Sequence, residues 1–569
     1  MAPKSADGDN EFVFLALGGL GEIGMNAYLY GFGPRKSRQW LMVDLGITFP
    51  GEREPGVDVV LPDLQFIEAR RERLAGIVIT HAHEDHIGAV VELWPKLRAP
   101  IYATPFTVGM LKTKLSQYGG QLEIEIIEIP VGGRFEAGPF DVELVSMAHS
   151  IPETSGLILR TPLGTALHTS DWKLDTEPMT GEPTDTAKLA ALGEEGVHAL
   201  ICDSTNVLRD GISPSESEVG RSLTDIIKKA AHRVAVTTFA SNVGRVKAVA
   251  EAAIASGRQL VVAGRALHRV IEVAKETGYL PMDLKYYDQQ ELKYMNRSDV
   301  VLLLTGSQGE PRAALARVAE GQHPDIQLAK GDLVIFSSRN IPGNEKAVGE
   351  IQNKLAEMGC DVLTDSEALV HVTGHPRRDE LKQLYGWIKP ALAIPMHGEA
   401  RHLREHARLA TAVGVKNVVT PLNGDIIRLA PLPAAVIDKA TTGRLYRDGR
   451  LIIAAEEGSV RERRKLSAVG IVVVSIALSQ RGAMIGDADV AMDGIPYQTE
   501  SGDPMEDVVL DAVDDTMASI PVARRKDHEM LRDAVRRAVR AAVNLEWGKK
   551  PIVKVLLHVV ETQPIIRKK

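Results

Sequence analysis

The chain is 569 residues long, room for about three or four domains, and its 44% apolar and 25% charged content is that of ordinary globular protein, not of a disordered or fibrous one. A formal charge of −8, from 67 Lys and Arg against 75 Asp and Glu, argues against a general nucleic-acid binder, though not against a local basic groove in an acidic whole. Two cysteines, Cys202 and Cys360, argue against a disulfide framework; no apolar run reaches the roughly 18 residues of a membrane span, and the polar stretch 1–10 has no signal-peptide core, so a cytoplasmic protein is expected.

Short β-type runs separated by Gly and Pro fill the first third of the chain: 12–17, 27–30, 40–43, 76–80, 122–129, 141–147, 156–160 and 165–169. They predict two β-rich halves with helices outside, an αββα sandwich. Between the first two runs, Gly19-Leu-Gly21-Glu-Ile-Gly24 matches the G-x-G-x-x-G of dinucleotide sites, with Asp44 following 20 residues after Gly24. That fingerprint needs a helix directly after the glycines to receive the pyrophosphate. Here 27–30 reads as a strand, so the glycines are expected to make a tight hairpin. Asp44, at its own strand end, is better suited to orienting a metal-bound imidazole from behind.

After the run 76–80 comes His81-Ala-His83-Glu-Asp85-His86, three imidazoles and two carboxylates in six positions. Neutral imidazole and carboxylate are the usual ligands of zinc and related ions, and a loop at the end of a buried strand is a rigid mount for them. Two ions about 3.5–4 Å apart need more donors than the four this loop offers. Further candidates stand at other strand ends: His149 in Ala148-His149-Ser150, Asp171 in Ser170-Asp171-Trp172, and His397 in Met396-His397-Gly398.

From about residue 220 the texture changes to α/β alternation. Helices are expected at 216–231, 242–256 and 266–277, and strands at 234–238, 259–263, 300–305 and 334–338, which predicts a parallel, doubly wound sheet. The basic stretch 461–465 reads as a linker. Beyond it lies a small α+β unit with strands 469–478 and 552–560 and helices 505–519 and 526–546. In the second helix Leu531, Val535, Val539 and Val543 form an apolar stripe that suits either an oligomer interface or a core.

His-x-His-x-Asp-His, followed by a His, an Asp and a last His, resembles the metallo-β-lactamase superfamily. The 226 residues between Asp171 and His397 accommodate an inserted domain similar to the β-CASP domain of nucleic-acid-processing members. Within that group, residues 17–24, Thr305–Pro311, Ile341–Glu345 and His371-Val-Thr-Gly-His375 resemble the ribonuclease J family. The chain departs locally at Met396, where Val is common in that family. The implied α/β architecture has a tail at 1–10, a sandwich formed by 11–217 and 379–453, a β-CASP insertion at 218–378, a linker at 454–467 and a C-terminal α+β domain at 468–569.

The resemblance implies two zinc ions, with manganese an alternative: one on His81, His83 and His149, one on Asp85, His86 and His397, with Asp171 bridging. It implies RNA hydrolysis leaving 5′-phosphates, by 5′-to-3′ exonuclease activity preferring 5′-monophosphate ends and by endonuclease activity, in rRNA processing and mRNA decay. His375 would donate to the phosphate in the transition state, Asp203 would support a ligand His, and Asp85 would be indispensable to cleavage. A pocket for the 5′ phosphate is expected from His371, Val372, Thr373, Gly374 and His375 with Ser307, Gly309, Ser338 and Arg339. Arg245, Lys247, Arg265, Arg269 and Arg312 are candidates for a groove holding single-stranded RNA. A homodimer or higher homo-oligomer through the C-terminal domain, an RNA-decay complex, and a structural calcium at Tyr446-Arg-Asp448-Gly449 are further expectations of the same kind. The length of the insertion disfavours a small-substrate hydrolase, the complete donor set disfavours a non-catalytic scaffold, and the later motifs disfavour a DNA nuclease or a 3′-end-processing endonuclease.

Overall fold

The computed structural model describes residues 10–118, 122–341 and 343–561. The expected tail at 1–10 lies outside these except for Asn10, which opens a strand. The chain forms two compact units, one of residues up to Phe49 with Val59–Arg447, the other of Pro50–Asp58 with Asp448 onward.

In the first unit an eight-stranded sheet has Asn10–Gly18 near its middle, paired antiparallel to Ala27–Pro34 on one side and to Asp425–Ala430 on the other. A seven-stranded sheet includes Phe140–Ser146, Ser155–Thr161, Gly164–His168, Ala199–Asp203 and Leu392–Met396. Period-two alternation builds the layers. Phe12, Phe14, Tyr28 and Tyr30 of the first sheet share a core with Val142, Leu144, Leu157 and Leu159 of the second. Their sequence neighbours Val13, Leu15 and Leu29 face outward onto helices Val90–Leu97 and Pro105–Gln117. The outer face of the second sheet packs on Thr186–Glu195 and Arg378–Ile388. The result is the expected αββα sandwich. Each fully buried Leu or Ile there contributes about 1.5–3 kcal/mol. Met396 is buried in the inter-sheet core.

The insertion is a six-stranded sheet in which Gln259–Ala263, Val300–Leu304, Val234–Thr237 and Leu333–Phe336 are successive parallel neighbours. All five residues of Val300–Leu304 are buried, as a strand covered on both faces requires.

The second unit has Ile471–Ser479 between Asp489–Asp493 and Ile552–Val560, backed by helices Met505–Ser519 and His528–Trp547. Leu531, Val535, Val539 and Val543 are fully buried against Val472, Val474 and Ile476, so the apolar stripe belongs to this unit's own core. The stretch 454–467 read as a linker is a 3-10 turn followed by helix Ser459–Val469, of which only Val460 is buried. Among the described residues no helix is long and apolar enough to cross a membrane.

Candidate metal centre

Strand direction assembles the site. Gly164–His168, Ala199–Asp203 and Leu392–Met396 are parallel neighbours, so the residues that follow them, Asp171 and His397, emerge at one edge with Asp203. Gln39–Val43 and Leu74–Val78 are parallel in the first sheet and deliver Asp44 and the His81 loop. Asp44, Ser170 and His397 take positive φ of 61°, 54° and 49°, a conformation side chains rarely adopt and one that clusters at functional sites. Asp85 and His86 lie not in a loop, as expected, but on the helical turn Glu84–Ile87. The backbone carbonyls of Glu84, Asp85 and His86 accept from the N–H groups of Ile47, Asn26 and Leu45 at 3.1, 3.0 and 2.8 Å.

Seven of the expected residues converge into two groups sharing Asp171: His81, His83, His149 and Asp171; and Asp85, His86, Asp171 and His397. In the first, His83 Nδ1 lies 3.1 Å from both His81 Nε2 and His149 Nε2. In the second, Asp85 Oδ2 lies 3.5 Å from His86 Nε2 and from His397 Nε2. Asp171 Oδ2 stands between the groups, 3.4 Å from His86 Nε2, 3.7 Å from His149 Nε2 and 3.9 Å from His81 Nε2.

The far side of each imidazole decides what the near side can do. His86 Nδ1 donates to Asp44 Oδ2 at 2.7 Å, and Asp44 is itself held by the Thr80 N–H (2.8 Å) and hydroxyl (2.9 Å). His149 Nδ1 donates to the Gly374 carbonyl at 2.6 Å, and His397 Nδ1 to Asp171 Oδ1 at 2.6 Å. His81 Nδ1 faces the hydroxyls of Thr80 (3.1 Å) and Ser170 (3.3 Å). With these four Nδ1 atoms committed as donors, Nε2 is the nitrogen that each ring, when neutral, turns inward with a lone pair. Lone pairs facing lone pairs at about 3 Å repel unless a cation lies between them, and among the described residues buried His397 Nε2 has no hydrogen-bond partner. The donor set therefore fits divalent metal.

Burial lowers the His83 imidazole to about 4 and holds those of His81 and His149 well below their ordinary range, keeping all three neutral as ligation requires. On His86 and His397 burial is outweighed by the Asp171 and Asp85 carboxylates, which raise both. Burial also raises the Asp44 carboxyl, against the pull of His86 and Thr80.

His375 stands beside this set, its Nδ1 donating to Asp203 Oδ2 at 2.7 Å and lying 3.9 Å from Asp171 Oδ2. Burial disfavours its charge, but Asp203 and Asp171 outweigh burial and raise it to about 9. Asp203 thus supports His375, not a member of the ligand set as expected. The Thr373 hydroxyl accepts from Asn206 Nδ2 (2.5 Å) and from the His375 N–H (3.2 Å), and buried Val372 anchors the loop. Among the described residues buried His371 Nδ1 has no hydrogen-bond partner. Ser337 Oγ donates to the Val370 carbonyl at 2.7 Å, and next to it Ser338 Oγ lies 3.5 Å from the Ser307 carbonyl, so these candidates share one neighbourhood. Gly309 packs on Ala347, and the Arg339 carbonyl accepts from Gln308 Nε2 at 2.8 Å.

Other expectations meet different outcomes. Arg245 is fully buried, paired with Glu216 at 2.8 Å and donating to the Val370 carbonyl at 2.7 Å, so it braces the 371–375 loop and cannot line a groove. Lys247 Nζ donates to the Met179 carbonyl at 3.0 Å. Arg265, Arg269 and Arg312 are exposed. At Tyr446–Gly449, read as a loop but found at the end of strand Arg444–Asp448, Asp448 is ion-paired with Arg463, and the Gly449 N–H donates to Asp58 Oδ2 at 2.8 Å; a guanidinium already engages the carboxylate expected to bind calcium. As expected, Gly19–Gly24 lie in the hairpin connection between antiparallel strands Asn10–Gly18 and Ala27–Pro34 with no intervening helix; in addition Leu20–Gly21 bridges Gly398–Glu399. Sequence reasoning missed Asn26 and the buried pair Tyr385–His406, whose ring joins the Tyr385 hydroxyl (2.9 Å) to the Ser204 hydroxyl (2.8 Å) beside Asp203.

Family models match four segments: a beta-lactamase superfamily domain at residues 53–199, a ribonuclease J beta-CASP domain at 231–355, a Zn-dependent metallo-hydrolase RNA specificity domain at 360–421 and a ribonuclease J C-terminal domain at 458–560. The chain is 52% identical over 549 residues to Ribonuclease J of Sinorhizobium meliloti, covering 96% of this chain and 97% of that one. It is 38% identical over 543 residues to Ribonuclease J of Mycolicibacterium smegmatis, covering 95% of each. A solved structure of a protein of unknown function from Enterococcus faecalis V583 is similar in fold, with a TM-score of 0.51 at 15% identity, covering 74% of this chain and all of that one.

Proposed function

The chain belongs to the ribonuclease J family and is a metal-dependent, RNA-binding ribonuclease; we propose that it works 5′-to-3′ from 5′-monophosphate ends as well as internally, at two divalent ions. His81, His83 and His149 would hold one ion, Asp85, His86 and His397 the other, and Asp171 would touch both. The observation that carries this reading is the sorting of ring nitrogens: each Nδ1–H of His81, His86, His149 and His397 faces an oxygen acceptor outside, and each Nε2 faces inward. Zinc suits the His-rich set, and manganese is the alternative.

Such ions supply Lewis acidity toward a phosphate and an activated water at neutral pH. The protein's part is to orient and to donate. His375, its Nδ1 held by Asp203, stands beside Asp171 and, when protonated, would offer Nε2–H to a phosphate oxygen as charge builds there. Ser307, Ser338, His371 and Thr373 border the position for a terminal phosphate, close to the His375 loop. We further propose a cytoplasmic enzyme that assembles as a homo-oligomer through its C-terminal unit, on a surface other than the buried Leu531–Val543 stripe, and that joins an RNA-decay complex.

The test is the purified chain on matched 5′-labelled RNA and DNA, with 5′-monophosphate and 5′-triphosphate RNA compared. Faster loss of the monophosphate RNA is expected, with cleavage abolished in Asp85→Ala and His86→Ala at unchanged fold. Undiminished turnover by metal-stripped protein sinks the site assignment, and equal rates on the two RNA ends sink the terminal pocket.

A further inference from the structure

The glycine run is built where side chains cannot fit. A Cβ on Gly18 would lie 2.1 Å from the Met25 carbonyl oxygen, and one on Gly19 would lie 2.3 Å from Tyr28 Oη and 2.7 Å from Asn26 Oδ1. Gly19 and Gly24 take φ of 86° and 95°, and Met25 one of 53°. The loop turns back on itself and lies against two ligand segments at once. The Gly19 carbonyl accepts the His397 N–H at 3.0 Å, and the Asn26 N–H donates to the Asp85 carbonyl at 3.0 Å.

At its end stands Asn26, fully buried. Its Nδ2 lies 3.3 Å from Asp85 Oδ2 and 3.0 Å from His86 Nε2. The amide cannot turn freely, because Tyr28 Oη donates to Asn26 Oδ1 at 2.7 Å. Tyr28 is buried, and burial first, then Asp171 and Asp44, pushes its hydroxyl well above the ordinary range, so it remains a donor. Asn26 therefore presents N–H groups, not oxygen, to the donor cluster.

Asp85 is the ligand that needs such a partner. Its side chain is 29% exposed, whereas those of His81, His86, His149, Asp171 and His397 are 2% exposed or less. The imidazoles nearest its carboxylate, His86 and His397, spend their Nδ1–H groups on Asp44 and Asp171. Once their Nε2 lone pairs face a cation, neither can donate to Asp85. Among the described contacts, Asn26 Nδ2 is the side-chain donor that remains on the Asp85 carboxylate.

We propose that Asn26 is a positioning residue of the metal centre: its amide, aimed by Tyr28, hydrogen-bonds the Asp85 carboxylate and fixes the oxygen it offers to the second ion. The inference rests on the two-ion reading above. The test is metal binding by the full-length chain, stripped and then titrated with zinc against a chromophoric chelator, for wild type, Asn26→Ala and Tyr28→Phe. Tyr28→Phe keeps the ring packing and removes only the hydroxyl, so it guards against misfolding of the first variant. Expected are an unchanged first equivalent and a second equivalent weakened on the order of 10- to 100-fold, in both variants. Wild-type affinity for both equivalents, with only a lowered thermal midpoint of the stripped protein, overturns the proposal and leaves Asn26 a packing residue. A wild-type chain that takes up no second ion overturns the two-ion reading and the proposal with it.

Discussion

Gly46→Ala should disable the site while leaving the fold in place. Gly46 is not in a left-handed conformation, so alanine is acceptable to its backbone. The obstacle is the hexapeptide lying on it: an added Cβ would sit 1.6 Å from the Asp85 carbonyl oxygen and 2.1 Å from its carbon. Ordinary contact begins near 3.4 Å, so the two segments must part by about 1.8 Å. That movement breaks the bonds from Leu45, Ile47 and Asn26 onto the His86, Glu84 and Asp85 carbonyls. At roughly 1 kcal/mol each, within the about 1–3 kcal/mol typical of overpacking, the chain still folds. Catalytic groups, however, tolerate displacements of only about 0.5 Å, and a 1 Å misplacement can cost on the order of 100-fold. RNA cleavage should therefore fall by at least about 100-fold, with loss of bound metal and a thermal midpoint lowered by only a few degrees. Gly349→Ala is the control, since a Cβ there meets nothing within 4 Å. A Gly46→Ala protein with wild-type metal content and turnover would refute the close-approach argument.

Asp44→Asn cannot accept all three of the hydrogen bonds that Asp44 takes from Thr80 and His86, so metal affinity should drop about 10- to 100-fold, read by chelator competition; unchanged affinity refutes the role. For Asp203→Asn the prediction concerns pH. In metal-free protein the His375 pKa is raised from 6.5 to about 9, so its stabilisation is complete below about 6.5 and is lost as pH rises through about 9. The difference in unfolding free energy between wild type and Asp203→Asn should therefore shrink from pH 6 to pH 10, and a pH-independent difference contradicts the pairing. Arg245→Ala leaves buried Glu216 without its counter-charge, which costs about 3–5 kcal/mol; a denaturant midpoint within error of wild type would count against the brace.

The legible parts of this molecule are those written as local pattern. Short apolar β-type runs bounded by turn residues predicted the strands that became Ser155–Thr161 and Gly164–His168 to within a residue or so, because a strand covered on both faces reads as a continuous buried run. Asp171 and His397 could be picked out because each directly follows such a run. Asp44 was legible for the same reason, though that it serves His86 was not. What could not be read is anything decided by a contact distant in sequence. Arg245 looks like a solvated helix charge until Glu216, Ser337 and Val370 close around it. His406 is one of several polar residues in helix Ala400–Ala412 until it is found between Tyr385 and Ser204.

Asn26 is the instructive case between these extremes. The glycines before it were conspicuous, and the absence of a following helix excluded a pyrophosphate site. That exclusion still left open why so many residues without side chains precede one asparagine. The close approaches answer it: Gly18 and Gly19 let strand Asn10–Gly18 turn back within 2–3 Å of where their Cβ atoms would lie, onto Met25, Asn26 and Tyr28. A polar residue with two N–H groups, followed two positions later by a tyrosine on the same strand face, is the signal that could have found it. The same reasoning limits what may stand at this position. A side chain there must fit beside Gly19, accept from Tyr28 Oη and donate to Asp85 at once. Serine is too short to reach both, and aspartate has no proton to give at neutral pH, so neither should restore the second-ion affinity lost in Asn26→Ala.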